Sequence, residues 1–166
     1  MPTPTYTPLA NITLGSSAAS VTFSSISQAY RDLVLVIVGR SSVTTSASDD
    51  TKLNFNTGGL YPMVNMSGDG TSATTSSASG PSTMDFGPLS TSYSGNTANS
   101  QVVMNIMDYS ATDKHKTVLI RHDNKLRTTA EVSRWNQTAA ITSILLDLTD
   151  GNFVVGSTFA LYGVAA

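Results

Sequence analysis

The sequence predicts an all-β protein in which two antiparallel sheets pack as a sandwich or one sheet closes as a barrel. Charged residues make up only 12% of the chain, and Glu131 is its only glutamate, whereas helical proteins usually cover their solvent face with glutamate, lysine and arginine. Serine, threonine, asparagine and glycine suit turns and strands better than helices. About nine or ten short apolar segments alternate with turn-rich stretches, which is typical of sandwiches and barrels.

Residues 1–9 predict an extended arm ahead of a single domain over 10–166. The arm contains three prolines, each of which fixes φ and removes a backbone donor, so an extended or polyproline-like conformation is favoured. It is either a free tail or a segment that lies on a neighbouring subunit. The candidate contacts of the arm are its prolines and its largest apolar side chains, Pro2, Pro4, Pro8, Tyr6 and Leu9.

Strands are predicted wherever apolar residues alternate or cluster between turn residues. Residues 32–40 are apolar on both faces, which predicts a strand covered on both sides. Pro62 places its segment at a sheet edge or at the end of a strand. The other predicted strands are 12–14, 20–26, 51–56, 58–66, 101–110, 116–122, 130–135, 140–149 and 157–164.

Two long polar stretches, 67–83 and 90–100, predict surface loops rather than core elements. Such loops suit contact with another protein or with glycans. Tyr61 and Tyr93 are the candidate stacking platforms for a sugar, whereas Trp135 falls in a predicted strand and is expected in the core.

Length and composition restrict the possible functions. The 166 residues suit one domain with its own core. The absence of cysteine excludes disulfides and thiol chemistry. A net charge of −2 gives no field that attracts polyanions, so we expect no nucleic-acid partner. The longest apolar run, 33–38, is far shorter than the roughly 20 residues of a membrane helix, and no signal peptide is predicted, so we expect no membrane partner.

The sequence offers little for catalysis, and we expect neither an enzyme nor a cofactor. The nucleophile-elbow, phosphate-loop, dinucleotide and zinc-protease motifs are absent. The aspartates do not follow calcium-loop spacing, so we expect no metal site. A glycan-degrading enzyme would need paired carboxylates on strands, whereas most of the acidic residues fall in turns.

The segment 113–125 contains both histidines of the chain, His115 and His122. Within the predicted strand, Val118 and Ile120 share one face. The histidines are seven residues apart, so they project to opposite faces and lie about 23 Å apart along the strand, too far to share a metal or a proton. We therefore predict a core strand with polar ends. The candidate contacts with a partner subunit or capsid at these ends are Lys114, His115, His122 and Lys125.

Several segments together resemble a β-sandwich module found in virion structural proteins of tailed bacteriophages. They are YTPLANITLGSSAASVTFSSI, YRDLVLVI, KLNFN, KHKTVLIRHDN and WNQTAAITSILLDLTDGNFVVGSTFALYGV. The resemblance covers nearly the whole chain and is weakest across 57–100. It implies a jelly-roll-like two-sheet antiparallel β-sandwich with an extended N-terminal arm.

Two functions follow from the resemblance as expectations. The first is a capsid cement (decoration) protein, a non-enzymatic homotrimer made in the host cytoplasm. It would bind the major capsid protein or other virion proteins on the outer surface of the particle. The alternative is a tail-tip or fibre domain that recognises host-surface glycan. Copy number per particle separates the two.

Overall fold

Thirteen strands and one short 3-10 turn form the secondary structure of residues 4–165, which the computed structural model describes. The strands are β1 (Tyr6–Thr13), β2 (Ser20–Phe23), β3 (Asp32–Gly39), β4 (Ser48–Asp49), β5 (Thr51–Phe55), β6 (Met63–Gly68), β7 (Ala73–Ala78), β8 (Leu89–Ser90), β9 (Ser100–Ile106), β10 (Lys116–Asp123), β11 (Thr128–Trp135), β12 (Ile144–Leu148) and β13 (Thr158–Val164). The 3-10 turn spans Tyr93–Gly95. Within the described range, no helix has the length and apolar character needed to cross a membrane.

The strands form two main antiparallel sheets of unequal width. The large sheet has eight strands in the order β1-β13-β3-β9-β10-β11-β6-β7, and the small sheet has three in the order β2-β12-β5. A further pair, β4-β8, adds a two-stranded ribbon. The prediction of an all-β two-sheet sandwich is therefore confirmed.

The core lies between the inner faces of the two sheets. In β10 alternate residues are buried, so Val118 and Ile120 point into the core as predicted. The face of β3 that carries Leu33, Leu35 and Ile37 is also fully buried. The opposite face of β3 differs from its prediction, because its residues are only half-buried. No described element lies over that side, so β3 is covered on one face.

The N-terminal segment is less separate from the domain than expected. From Tyr6 onward the chain is the edge strand β1 and pairs with β13, from Tyr6 opposite Val164 to Thr13 opposite Thr158. The register shifts between Pro8 and Ala10. Pro8 is compatible with this position because an edge strand leaves alternate N–H groups unpaired. Pro4 precedes the strand, and Pro2 lies outside the described residues.

The polar stretch 67–83 contains a strand that its composition did not predict. β6 and β7 form a hairpin in which Met63 pairs with Ala78 and Gly68 pairs with Ala73. Asp69 accepts hydrogen bonds from the N–H groups of Thr71 (2.8 Å) and Ser72 (2.7 Å) and so fixes the turn. β7 is a solvent-exposed edge strand, which explains why it lacks large apolar residues. The stretch 90–100 remains mostly irregular, with the 3-10 turn at its centre.

Candidate functional site: a polar cleft between the two layers

A polar cleft forms where the large sheet extends past the small one. Residues 84–88 run beside the edge strand β5, where Met84 and Leu53 exchange backbone hydrogen bonds of 2.7 and 3.0 Å. This segment faces the inner side of β10, β11, β6 and β7. The cleft between them has a volume of about 260 Å³.

Strand register builds one wall of the cleft from polar side chains. Each of two rows crosses the strands β10, β11, β6 and β7 on the inner face of the sheet. The first row is His122, Thr129, Ser67 and Thr74. The second row is Ile120, Glu131, Asn65 and Ser76. The apolar core thus gives way to hydroxyl, amide, imidazole and carboxyl groups at this end of the sheet.

Glu131 is the most unusual member of this wall. Its side chain is 3% exposed, and its buried Oε1 atom has no hydrogen-bond partner among the described residues. Burial, with a smaller contribution from the negative charge of Asp85, raises the pKa of Glu131 to about 8. The carboxyl group is therefore mostly protonated at neutral pH, when it can both donate and accept a hydrogen bond.

His122 lies diagonally opposite Glu131 in the sheet, and it too is buried, at 5% exposure. Its Nδ1 atom has no hydrogen-bond partner among the described residues. Burial lowers the pKa of His122 to about 4, which the charge of Asp123 opposes. The ring packs against Gly87, where an added Cβ would lie 2.0 Å from Nε2. The imidazole is therefore neutral at physiological pH.

The opposite wall is held by the buried hydroxyl of Thr51. This hydroxyl donates to Asp85 Oδ1 (2.8 Å) and accepts from the N–H of Phe86 (3.0 Å). Asp85 Oδ1 also accepts from the N–H of Gly87 (2.8 Å). These bonds fix the segment that carries Asp85 and Gly87 into the cleft. Arg127 stands at the mouth and also lines an adjoining depression of about 370 Å³.

The candidate contacts at the ends of β10 differ in accessibility. Lys114, His115 and Lys125 are exposed. His122 is not, because even-numbered positions of β10 point inward. We therefore correct its assignment from a partner contact to a cleft residue.

Lys116 shares the inward orientation of His122 and is fully buried. Its Nζ donates to the carbonyls of Lys114 (2.8 Å) and Thr138 (2.9 Å). Burial lowers the pKa of Lys116.

The two tyrosines predicted to stack on a glycan also differ in exposure. Tyr93 is 41% exposed, whereas Tyr61 is completely buried and cannot stack on a sugar. Although Tyr61 precedes Pro62, its ring lies in the core near Phe55, with 6.0 Å between the ring centroids. Trp135 is in the core as expected and donates to the carbonyl of Gly58 (3.1 Å).

We predict that Tyr61→Phe destabilises the protein by about 1–2 kcal/mol. The Tyr61 hydroxyl accepts the hydrogen bond of the Phe55 N–H at 2.9 Å, in a buried position. Removing it leaves that N–H without a partner. Urea denaturation of the two proteins measures the difference, and Tyr93→Phe is the matched control. Equal stability of Tyr61→Phe and wild type would contradict this role.

Sequence reasoning did not predict the cleft, although one signal was present. Glu131 is four residues from Trp135 and therefore on the same face of a strand, so a buried Trp135 implies a buried glutamate. Among residues 4–165, no group of three or more histidine, aspartate and glutamate side chains is arranged to hold a metal ion.

Comparisons with known proteins do not assign the chain to a family. No protein-family model, curated protein or solved structure matches it. The resemblance to phage virion modules therefore stays a prediction.

Proposed function

We propose that this chain is a non-enzymatic structural protein of a tailed-phage virion, a cement protein that stabilises the assembled head. The observation that carries the proposal is the centre of the outer face of the large sheet, which is largely apolar and partly open to solvent. The resemblance of the quoted segments to virion modules supplies the biological setting. The proposed partners are neighbouring copies of the chain and the major capsid protein.

Strand register arranges the outer face into two apolar rows that cross the sheet. The first row is Pro8, Tyr162, Val34, Asn105, Leu119, Val132 and Val64. The second row is Ala160, Val36, Val103, Arg121, Ala130 and Met66. Arg121 is the only charged residue in either row. Four of the large side chains are 39–59% exposed: Leu119, Val132, Val64 and Met66.

The size of this face suits an interface. The longer row crosses seven strands, which at about 4.8 Å spacing span roughly 29 Å, and two rows occupy about 13 Å along the strands, giving at most roughly 380 Å². Monomeric proteins rarely leave a contiguous apolar surface of several hundred Å² without a binding role. An interface of standard size buries about 800 Å² per partner, with an apolar centre and a polar rim. The two rows supply such a centre.

A second copy of the chain is the occupant we propose for this face. The rows carry a single cation and no anion, so copies meet without strong repulsion and need no oppositely charged partner. A face eight strands wide has two different halves, one on β1-β13-β3 and one on β10-β11-β6. Contact between unlike halves of successive copies is heterologous and closes into a ring at a suitable rotation. A homotrimer is the proposed ring.

The arm and the exposed strand ends are the proposed capsid contacts. From Tyr6 the chain belongs to β1, and Thr5 accepts a hydrogen bond from the N–H of Ala165 (3.2 Å), so the proposed arm is shorter than residues 1–9. Lys114 and His115 lie at one end of β10 and Lys125 follows the other. These three side chains therefore serve two separate contacts. The alternative, glycan recognition by Tyr61 and Tyr93, loses Tyr61 to the core, and nothing else supports Tyr93.

We predict that the double variant Val64→Lys, Val132→Glu is monomeric, whereas the wild-type protein is a trimer. The two positions are directly paired across β11 and β6, so opposite charges there are compatible with the sheet but not with an apolar interface. Light scattering of the purified proteins measures the mass. Val155→Glu, at a position that is 62% exposed and outside the rows, is the control and should remain trimeric. A monomeric wild-type protein at high concentration would contradict the proposal.

A further inference from the structure

We propose that the cleft between β10-β11-β6-β7 and residues 84–88 binds a neutral polyhydroxylated ligand, the hexose unit of a glycan. This site is distinct from the outer face and from the tyrosines considered above. It does not depend on the proposed assembly role, because the cleft lies on the inner side of the same sheet.

Two buried polar groups without partners point to a ligand. The Glu131 and His122 side chains line the cleft, are at least 95% buried, and leave Oε1 and Nδ1 respectively without a protein partner. A buried polar atom without a hydrogen bond costs stability, and native proteins contain few of them. Two such atoms on one wall of one cavity are explained if a bound molecule supplies the missing hydrogen bonds.

The protonation states of the two groups select the chemistry of the ligand. With a pKa of about 8 for Glu131 and about 4 for His122, both groups are predominantly neutral at pH 7. A protonated carboxyl and a neutral imidazole each offer one donor and one acceptor. Hydroxyl groups, which donate and accept equally well, match both. The hydroxyls of Ser67, Thr74 and Thr129 continue this pattern along the wall.

Charged ligands fit the cleft less well than a neutral one. A divalent cation needs several oxygen ligands, but no metal-binding group of three is present in the described range. An anion would meet Arg127 at the mouth but would approach Asp85 inside. No phenylalanine, tyrosine or tryptophan lines the cleft, so recognition relies on hydrogen bonds to the edge of a sugar ring rather than on stacking.

The volumes of the cleft and of the depression beside it suit an oligosaccharide that places one hexose unit in the cleft. Typical sites for drug-sized ligands have volumes of about 300–1,000 Å³, so a cleft of 260 Å³ suits a single ring. The adjoining depression of about 370 Å³ shares Ser67, Thr74 and Arg127 with it. The two together form a groove that suits an oligosaccharide.

Titration of the full chain with neutral hexoses, followed by two-dimensional amide NMR, tests the proposal. Glucose, galactose and mannose are the probes, and glucuronate and Ca²⁺ are the charged comparators. We expect at least one hexose to shift the amide signals of Asn65, Ser67, Thr129 and Glu131 saturably. Shifts at these amides from Ca²⁺ or glucuronate but not from a hexose would overturn the proposal, as would no shift from any probe, which is the result for a cleft that holds only water.

Matched variants test the role of the carboxyl group. Glu131→Gln keeps a neutral donor and acceptor, so its affinity for the hexose should stay within about threefold of wild type, whereas Glu131→Met should weaken binding about tenfold or more. Thr129→Val removes one hydroxyl without changing side-chain shape and should also weaken binding, which covers the case in which Glu131→Met does not fold. Undiminished affinity in Glu131→Met or in Thr129→Val would contradict the assignment.

Discussion

The Glu131→Gln variant is expected to be more stable than the wild-type protein above about pH 5, with an advantage that grows until pH reaches about 8. Wild type should lose about 3 kcal/mol relative to the variant between about pH 5 and pH 8. The cause is the buried carboxyl group of Glu131, whose pKa rises from 4.5 to about 8 on folding. Glutamine has the shape of the protonated acid and cannot ionise.

The sign of this effect follows from proton linkage. Between pH 4.5 and about 8 the folded protein keeps a proton on Glu131 that the unfolded chain has released, so rising pH favours unfolding. The stabilising contribution is complete below pH 4.5 and is lost as pH rises through about 8. His122 acts in the opposite direction, since its lowered pKa makes stability rise between about pH 4 and 6.5. Asp85 and Arg127, which also face the cleft, are common to both proteins.

Urea denaturation of both proteins at a series of pH values measures the difference. Subtracting the two curves removes the contribution of His122 and of other groups that titrate alike in both. Parallel stability curves from pH 5 to 8 would show that Glu131 is ionised in the folded protein, and would contradict the burial of an unpartnered carboxyl group.

Gly87→Ala is expected to destabilise the protein by about 2–5 kcal/mol. The backbone at Gly87 has a φ of +93°, which costs an L-residue about 1–2 kcal/mol. The added methyl group would also lie 2.0 Å from His122 Nε2 and 2.1 Å from its Cδ2. Displacing a buried ring in this way destabilises the protein by about 1–3 kcal/mol more.

Gly70 separates the two contributions. It has a φ of +90° and no atom within 4 Å of an added Cβ, so Gly70→Ala should cost only the backbone part. In a His122→Ala background, Gly87→Ala should then cost about as much as Gly70→Ala. Thermal or urea unfolding of five proteins measures the coupling: wild type, Gly87→Ala, His122→Ala, the double variant and Gly70→Ala. If Gly87→Ala costs no more than Gly70→Ala in the wild-type background, the ring does not pack where the structure places it.

The fold class could be predicted from sequence because alternation and composition are local signals. The burial of Val118 and Ile120 followed directly from the period of a strand. The exposure of the outer face of β3 could not be predicted, since apolar residues on both faces indicate a covered strand and do not say whether the cover comes from the same chain. The strand β7 was missed because an exposed edge strand needs no apolar residue.

The cleft was not predictable because it depends on tertiary pairing. The pairing of Glu131 with Asn65 joins residues far apart in the chain, and only the topology brings Asp85 and Gly87 opposite them. His122 was expected at a wet strand end, yet its even position in β10 directs it inward beside residues 84–88. Tyr61 was expected at the surface as a stacking platform beside Pro62, yet its ring is fully buried and packs near Phe55.

The composition of purified virions of the phage that is proposed to encode this chain tests the central claim most directly. Quantitative mass spectrometry gives the amount of the chain relative to the major capsid protein. A cement protein should be present in an amount of the same order as the major capsid protein. Absence from the particle, or the few copies expected of a tail-tip receptor binder, would contradict the account.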